Sequence, residues 1–144
     1  MKTIRTEALI PAPPDKVWAV LTDFSRYHEW NPLNIAAEGQ PVAGGRIRTT
    51  FLNPARPGTT ITQTVRLTTF EPHRALAWTG RAPLLWRGRH HFTLEPVPEG
   101  SRLLHGEDMG GLIAMTFSDR QLEEDFRPHY VRVNEALAKR VAQV

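Results

Sequence analysis

Most of the chain alternates between apolar and polar residues, which is the pattern of half-buried β-strands. The first alternating run spans residues 2–10 and places Ile4, Ala8 and Ile10 on one face. The later runs are residues 33–37, 46–51, 61–68, 75–80, 86–95 and 102–109. Turns rich in glycine, proline and asparagine separate them. Seven strands at this spacing predict an antiparallel sheet.

Two segments show instead the three-to-four-residue spacing of amphipathic helices. One begins at Pro13 and Pro14, because a proline in the first helical turn costs no hydrogen bond, and a second short helix follows over residues 23–29. The other begins at Ser118 or Asp119 and runs to the end of the chain. Its apolar stripe consists of Leu122, Phe126, Val133 and Leu137. Pro128 removes a backbone hydrogen bond from this long helix and should bend it.

The apolar stripe of the last helix and the apolar face of the sheet are buried together when one lies on the other. Large side chains at the ends of these layers can hold them apart and leave a cavity. The candidates for its wall are Trp78, Trp86, Phe92, Phe126 and Tyr130. Trp30, Val133 and Leu137 are added as ligand contacts from the short helical pair and from the long helix. Packing in an ordinary core explains each of these residues taken singly.

His90 lies on the inward face of its strand and is the sharpest candidate for chemistry. A two-residue turn at Pro98 would place Glu107 opposite His90, whereas a three-residue turn with a bulge would place Asp108 there. Either carboxyl group could form an acid–base pair with the imidazole or orient a polar ligand group with it. A buried histidine satisfied by a cross-strand carboxyl group is the simpler interpretation. We therefore favour a structural or ligand-orienting role over catalysis.

Composition narrows the class of protein. The 144 residues fit a single domain, residues 1–144, with 40% hydrophobic and 23% charged residues. The chain has no cysteine, and no apolar run is long enough to span a membrane, so we expect no stable membrane insertion and a cytoplasmic location. The net charge of +3 comes from arginines without interleaved aromatic residues, which argues against nucleic-acid binding. A homodimer is compatible with these features.

Signatures of common cofactor and metal sites are missing. The chain has no P-loop, no dinucleotide-binding glycine motif and no Gly-x-Ser-x-Gly elbow, so we expect no cofactor. His90, His105 and Glu107 could share a face, and His129 could approach from the helix. No short metal-binding spacing supports that set, so we expect no metal site.

Several motifs, in this order, resemble those of the START-like, or SRPBCC, family. They are Ile10–Trp18, Leu21–Tyr27, Trp30–Pro32, Glu71–Pro72, Leu76–Trp78, Gly88–Phe92, Glu107–Ile113 and Asn134–Arg140. The resemblance implies an α+β helix-grip fold, in which a seven-stranded antiparallel sheet wraps around a long C-terminal helix and two short helices follow the first strand. It also implies a cavity for a lipid, a sterol-like molecule or an aromatic polyketide-like molecule. It does not imply a reaction.

Three functions follow as hypotheses. The leading one is binding of a small hydrophobic molecule between the sheet and the C-terminal helix. The alternative is a cofactor-free enzyme of the polyketide cyclase or dehydratase type, which would use His90 with Glu107 or Asp108 as its acid–base pair. The third is a protein-interaction module with the loop Leu84–Trp86 as an exposed anchor.

Overall fold

A computed structural model describes all 144 residues, and its largest element is one antiparallel sheet. The strands are β1 (Lys2–Ile10), β2 (Asn34–Gly39), β3 (Arg46–Leu52), β4 (Thr60–Glu71), β5 (Ala75–Ala82), β6 (Trp86–Val97) and β7 (Gly100–Gly110). Their order across the sheet is β1-β7-β6-β5-β4-β3-β2. Neighbouring strands follow one another in sequence except at β1, which pairs with β7. Seven antiparallel strands and a long C-terminal helix confirm the predicted α+β helix-grip fold.

Two short helices follow β1, as predicted. Helix α1 (Pro14–Leu21) begins on a proline, and a 3₁₀ helix (Phe24–Glu29) follows it. Their large apolar side chains are buried, Leu21 completely and Phe24 with 2% exposure. The Tyr27 hydroxyl donates a hydrogen bond of 2.5 Å to the Leu21 carbonyl, which fastens the 3₁₀ helix to α1.

The C-terminal part begins with α2 (Leu112–Met115) and α3 (Asp119–Gln121), continues through a π-helical turn (Leu122–Phe126), and ends in α4 (Arg127–Gln143). The Ser118 hydroxyl caps α3, since it accepts the Gln121 N–H at 3.0 Å. Near Pro128, where the sequence predicts a bend, the structure has a π-helical turn that ends at Phe126, two residues before the proline. No helix of the structure is both long and apolar enough to cross a membrane.

The second strand departs from its predicted alternation. A bulge lies between Asn34 and Ala36, so the strand does not alternate regularly from Leu33 to Ala37. Asn34 is buried beside Leu33, and Ile35 is only half-buried. The bulge thereby turns a polar side chain inward.

The core lies between the concave face of the sheet and α4. At the C-terminal end of α4, the core is closed by α1, which contacts α4, and by the 3₁₀ helix. The Arg140 Nη2 atom lies 2.5 Å from the Glu29 Oε1 atom and links the last helix to the end of the 3₁₀ helix. At its N-terminal end, α4 has no helical neighbour of this kind, and the interior is open there.

Candidate functional site

A cavity of about 390 Å³ lies between the sheet and the beginning of α4. This volume is in the range of about 300–1,000 Å³ that is usual for small-molecule sites. Twelve of its 21 lining residues are hydrophobic. The 21 lining residues come from the beginning of β2, from β3–β7, from the loop between β3 and β4, from the segment around α2, from the π-helical turn and from the first turn of α4, so the wall is assembled from distant parts of the chain.

Two glycines make room for the cavity. Gly80 on β5 pairs with Gly88 on β6, and both line the cavity. A Cβ atom at Gly80 would lie 2.8 Å from the Gln63 Nε2 atom, and one at Gly88 would lie 2.8 Å from the Trp86 ring. Neither strand therefore projects a side chain into the middle of the space, where inward-facing residues would otherwise fill it.

The structure places six of the ten predicted contact residues in the cavity wall. They are Trp78, Trp86, His90, Glu107, Phe126 and Tyr130. The other four, Trp30, Phe92, Val133 and Leu137, do not line it.

Three of these four residues lie deeper in the core, and Trp30 is partly buried at its edge. The Phe92 ring stacks on the His105 ring at a centroid distance of 4.2 Å, beyond His90 on β6. Val133 and Leu137 follow Tyr130 along α4 and are 1% and 0% exposed. Trp30 packs edge-on against Tyr27, at 5.2 Å between ring centroids. The side chains of Trp78 and His90, stacked at 4.8 Å, lie where the cavity meets this filled part of the interior.

Sequence reasoning missed several wall residues. Phe51, Ile61 and Gln63 lie at inward positions of the predicted alternation, so a signal for them was present. Ile113 and Phe117 belong to the glycine-led segment after β7, which forms α2 and its exit. This segment is too short for its pattern of apolar residues to show which of them face inward.

A polar cluster forms the floor of the cavity. His90 pairs with Glu107 across β6 and β7, because the hairpin closes with a two-residue turn between Val97 and Gly100. The His90 Nδ1 atom lies 3.0 Å from the Glu107 Oε1 atom, and the Tyr130 hydroxyl donates to the same oxygen at 3.1 Å. All three side chains reach the cavity wall.

Asp108, the other predicted partner of His90, is on the opposite face of the sheet. Its carboxylate lies 2.6 Å from the Arg5 Nη2 atom and 3.7 Å from the Arg89 Nη1 atom. The two-residue turn sets this outcome, since a shift of one residue exchanges the faces of a strand. The alternative pairing of His90 with Asp108 is wrong.

The cluster continues into the protein beyond His90. The His90 Nε2 atom lies 2.7 Å from the His105 Nε2 atom, and the His105 Nδ1 atom lies 2.8 Å from the Asn134 Oδ1 atom. Asn134 Nδ2 donates to the Thr6 hydroxyl at 2.9 Å, and that hydroxyl donates to the His105 carbonyl at 2.7 Å. Side chains from β1, β6, β7 and α4 thus form one buried chain of hydrogen bonds from the cavity floor to the first strand.

Burial decides the charge of this cluster, because it disfavours ionised groups. It lowers the pKa of His90 to about 3 and lowers the pKa of His105 well below its ordinary value. It raises the pKa of Glu107 to about 8, against the hydrogen bond from Tyr130, which lowers it. At neutral pH the imidazoles and the carboxyl group are therefore uncharged.

The histidines are not arranged around a common metal position. No group of three or more His, Asp or Glu side chains is placed to hold a metal ion. His129, which could have approached from the helix, lies with its Nδ1 atom 3.1 Å from the Arg132 Nη2 atom. His90 and His105 instead direct their Nε2 atoms at each other.

Solved structures with the same fold come from several bacteria. The structure of the Zhui aromatase/cyclase from a Streptomyces species has 20% sequence identity and a TM-score of 0.75, with 99% of this chain and 94% of that chain covered. A protein from Thermus thermophilus has 16% identity and a TM-score of 0.78, with 99% and 98% covered. A protein from Chromobacterium violaceum has 21% identity and a TM-score of 0.73, with 98% of each chain covered. These likenesses show the fold.

Sequence comparison identifies the family. No protein of curated function matches the sequence. The family model described as "Polyketide cyclase / dehydrase and lipid transport" matches residues 1–142, which is almost the whole chain. The resemblance to SRPBCC domains is confirmed by this match, and ligand binding or cyclase activity is the general class of function that it supports. The chain belongs to the polyketide cyclase/dehydrase and lipid-transport family.

Proposed function

We propose that the protein binds a small, neutral and largely apolar molecule with a ring system, such as a sterol-like or aromatic polyketide-like compound, in the cavity between the sheet and α4. The observation that carries this proposal is the cavity wall, in which 12 of 21 residues are hydrophobic and no side chain carries a charge at neutral pH. The location in the cytoplasm and a homodimeric state stay predictions of the sequence.

The wall favours flat rings. Trp78, Trp86, Phe117 and Phe126 all line the cavity, and aromatic side chains pack well against other aromatic or polycyclic surfaces. Phe117 holds two of them in place, with ring-centroid distances of 6.3 Å to Trp86 and 4.8 Å to Phe126. Burial of an apolar ligand against these rings supplies affinity of about 25 cal/mol per Å² before the costs of association.

The charges favour a neutral ligand. No lysine or arginine is among the lining residues, so an anionic group would lose its hydration without gaining a counter-charge. The only ionisable groups in the wall are His90, Glu107 and Tyr130, which are uncharged at neutral pH. Fatty acids, which carry a carboxylate, therefore fit the cavity less well than sterols or polycyclic aromatics.

Thermal unfolding with a ligand panel tests this proposal. We expect neutral polycyclic compounds such as naphthalene to raise the melting temperature, since a ligand at a hundred times its Kd stabilises the fold by about 2.7 kcal/mol. Palmitate should have little effect. Phe126→Arg should abolish the shift, and its melting temperature without ligand checks that it folds. The absence of a shift across the panel would contradict the proposal.

A second candidate function is a cofactor-free cyclisation or dehydration. It is favoured by one observation, the buried carboxyl group of Glu107 in the cavity wall, 3.0 Å from the His90 Nδ1 atom. Burial raises the pKa of this carboxyl group to about 8. A general acid works best when its pKa lies near the operating pH. Glu107 would protonate the departing hydroxyl group, which leaves as water, and the Glu107 carboxylate, in contact with His90, would take up the proton lost from the neighbouring carbon atom, so that the carboxyl group is restored. If His90→Ala leaves the turnover of a β-hydroxy ketone substrate unchanged, this candidate fails.

A further inference from the structure

The direction of the buried hydrogen-bond chain is set at Thr6. The Thr6 hydroxyl has one hydrogen, and it must be given to the His105 carbonyl at 2.7 Å because a carbonyl can only accept. The Asn134 atom 2.9 Å from the same hydroxyl must then be a donor, so the amide presents its nitrogen to Thr6. The amide oxygen consequently faces His105.

The orientation of the Asn134 amide determines which ring nitrogen carries the hydrogen in both histidines. The Asn134 oxygen, 2.8 Å from the His105 Nδ1 atom, requires a hydrogen on that nitrogen. A neutral His105 then has an acceptor at Nε2, and the His90 Nε2 atom 2.7 Å away must donate to it. A neutral His90 with its hydrogen on Nε2 has an acceptor at Nδ1, which faces Glu107 at 3.0 Å.

The chain ends on a protonated carboxyl group. The His90 Nδ1 atom is an acceptor and lies 3.0 Å from the Glu107 Oε1 atom. If Oε1 carried no hydrogen, these two acceptors would face each other without a hydrogen bond, so Glu107 must donate from Oε1 to His90. The Tyr130 hydroxyl, at 3.1 Å, donates to the same oxygen. The raised pKa of Glu107 and the lowered pKa of His90 agree with this proton position.

The second oxygen of Glu107 is left for a ligand. It has no hydrogen-bond partner in the protein, whereas the Oε1 atom has two. Among fully buried side-chain polar atoms, Asn31 Nδ2 alone has no partner. The Oε2 atom of Glu107 also has no partner, so it is not fully buried. Because Glu107 lines the cavity, a ligand can reach its Oε2 atom from there. With the proton on Oε1, the Oε2 atom is a carbonyl oxygen and can only accept.

We propose that Glu107 Oε2 selects neutral ligands whose buried end carries a hydroxyl group, as a phenol or a sterol does, over the corresponding ethers and carboxylates. This inference rests on the proposed binding function and names the polar end of its ligand. A methyl ether offers no hydrogen to Oε2, and a carboxylate presents two further acceptors to it. Thr6 and Asn134 act as positioning residues, since they touch no ligand and set the direction of the chain.

The test compares naphthalene, 2-naphthol, 2-methoxynaphthalene and 2-naphthoate in titrations of the wild-type protein in mildly acidic buffer. We expect 2-naphthol to bind about fivefold more tightly than its methyl ether, from the net value of one hydrogen bond, and 2-naphthoate to bind most weakly. Glu107→Leu should reduce the ratio of the two affinities to about one. Glu107→Gln should restore the preference, because its amide nitrogen can donate to His90 and its oxygen can face the cavity.

Asp108→Asn is the matched control, since Asp108 is on the outer face of the same strand and should leave the ratio unchanged. Nitrogen-15 spectra of the histidine rings provide an independent measurement and should show a hydrogen on Nε2 of His90 and on Nδ1 of His105. A doubly protonated His90, or equal affinities for 2-naphthol and its ether, overturns the inference alone. If naphthalene itself fails to bind the wild type, the proposed function fails and the inference with it.

Discussion

The two ends of the space between the sheet and α4 are built from similar aromatic side chains, yet one end is filled and the other is a cavity. At the filled end, Phe24 and Tyr27 pack edge-on at a centroid distance of 5.5 Å, and Phe24 reaches Trp78 at 6.3 Å. At the open end, the rings of Phe117 and Phe126 also pack together, tilted at a centroid distance of 4.8 Å, and leave space beside them. The number of large side chains does not account for the difference.

The difference comes from what covers each end. At the filled end, α1 and the 3₁₀ helix supply a further layer of buried residues against the C-terminal half of α4. At the open end, the paired glycines Gly80 and Gly88 remove side chains from the sheet, and the cover consists of short segments, namely α2 with Phe117 and the loop residues 53–55. Small residues in the sheet and the lack of a second helical layer, rather than the aromatic residues, distinguish the cavity from the filled core.

The largest effect should follow from truncation at the filled end. Leu137 is completely buried there. Leu137→Ala should lower the free energy of unfolding by about 2–5 kcal/mol, because it creates a hole in a packed core, and should leave ligand affinity unchanged. Urea unfolding measures this, with Leu9→Ala as the control because Leu9 is 56% exposed on β1. A loss of affinity without loss of stability would assign Leu137 to the cavity instead.

A smaller loss is expected in the polar chain between the two ends. Thr6→Val keeps the shape of the side chain but leaves the His105 carbonyl and the Asn134 amide without their partner, which should cost about 2 kcal/mol of unfolding free energy. Thr3→Val is the matched control, since Thr3 is exposed on the other face of the same strand. Equal unfolding free energies for the two variants would show that the buried hydrogen-bond chain contributes nothing to stability.

Filling the open end should affect binding more than folding. Gly80→Leu places a side chain into the cavity, and its nearest obstacle is the flexible end of Gln63. Affinity for naphthalene should fall at least about tenfold, equivalent to about 1.4 kcal/mol, with little change in melting temperature. Arg81→Leu puts the same side chain on the exposed outer face of β5 and should bind as the wild type does. Unchanged affinity in Gly80→Leu would mean that the ligand binds elsewhere.

Stability should fall slightly as the pH rises from about 7 to 8. The pKa of Glu107 is raised to about 8 in the folded state from 4.5, so the folded protein retains a proton that the unfolded chain has released. The slope is at most about 1.4 kcal/mol per pH unit. Below pH 6.5, the ordinary pKa of histidine, His90 and His105 have the opposite effect on stability. Their pKa values are lowered in the folded state, so the unfolded chain binds more protons there and stability rises with pH.

Two groups contact Glu107 directly, namely His90 on β6 and Tyr130 on α4. Two further ionisable groups, His91 on β6 and Asp108 on β7, act on Glu107 through their charge. None of these has an ordinary pKa between 7 and 8. Glu107→Gln should therefore abolish the decline, as measured by urea unfolding at several pH values. A decline that persists in Glu107→Gln would show that another group causes it.

The sequence was sufficient for the fold because the fold depends on periodicity. Seven alternating runs, a proline-initiated helix and a long amphipathic helix are local patterns, and each appears in the structure at nearly the predicted place. The bulge at Asn34 was not predictable in this way, since it depends on how β2 pairs with β3. The register of His90 was predictable only as two alternatives, which the two-residue turn after Val97 decides in favour of Glu107.

The site was predictable in part. Inward position identified Trp78, Trp86, His90 and Glu107, and the helical stripe identified Phe126 and Tyr130. The helical stripe contains no information on where along α4 the cavity ends. The prediction therefore also included Val133 and Leu137, which belong to the filled end. That boundary depends on where α1 and the 3₁₀ helix dock, which is a tertiary property without a local pattern.

The four tryptophans divide between the two ends and can report directly which end binds the ligand. Trp78 and Trp86 line the cavity, whereas Trp18 and Trp30 do not. Each indole N–H gives one resolved signal in a proton–nitrogen correlation spectrum. Addition of 2-naphthol should shift the signals of Trp78 and Trp86 and leave those of Trp18 and Trp30 in place. Shifts at Trp18 and Trp30 with unchanged signals from Trp78 and Trp86 would contradict the assignment of the open end as the binding site.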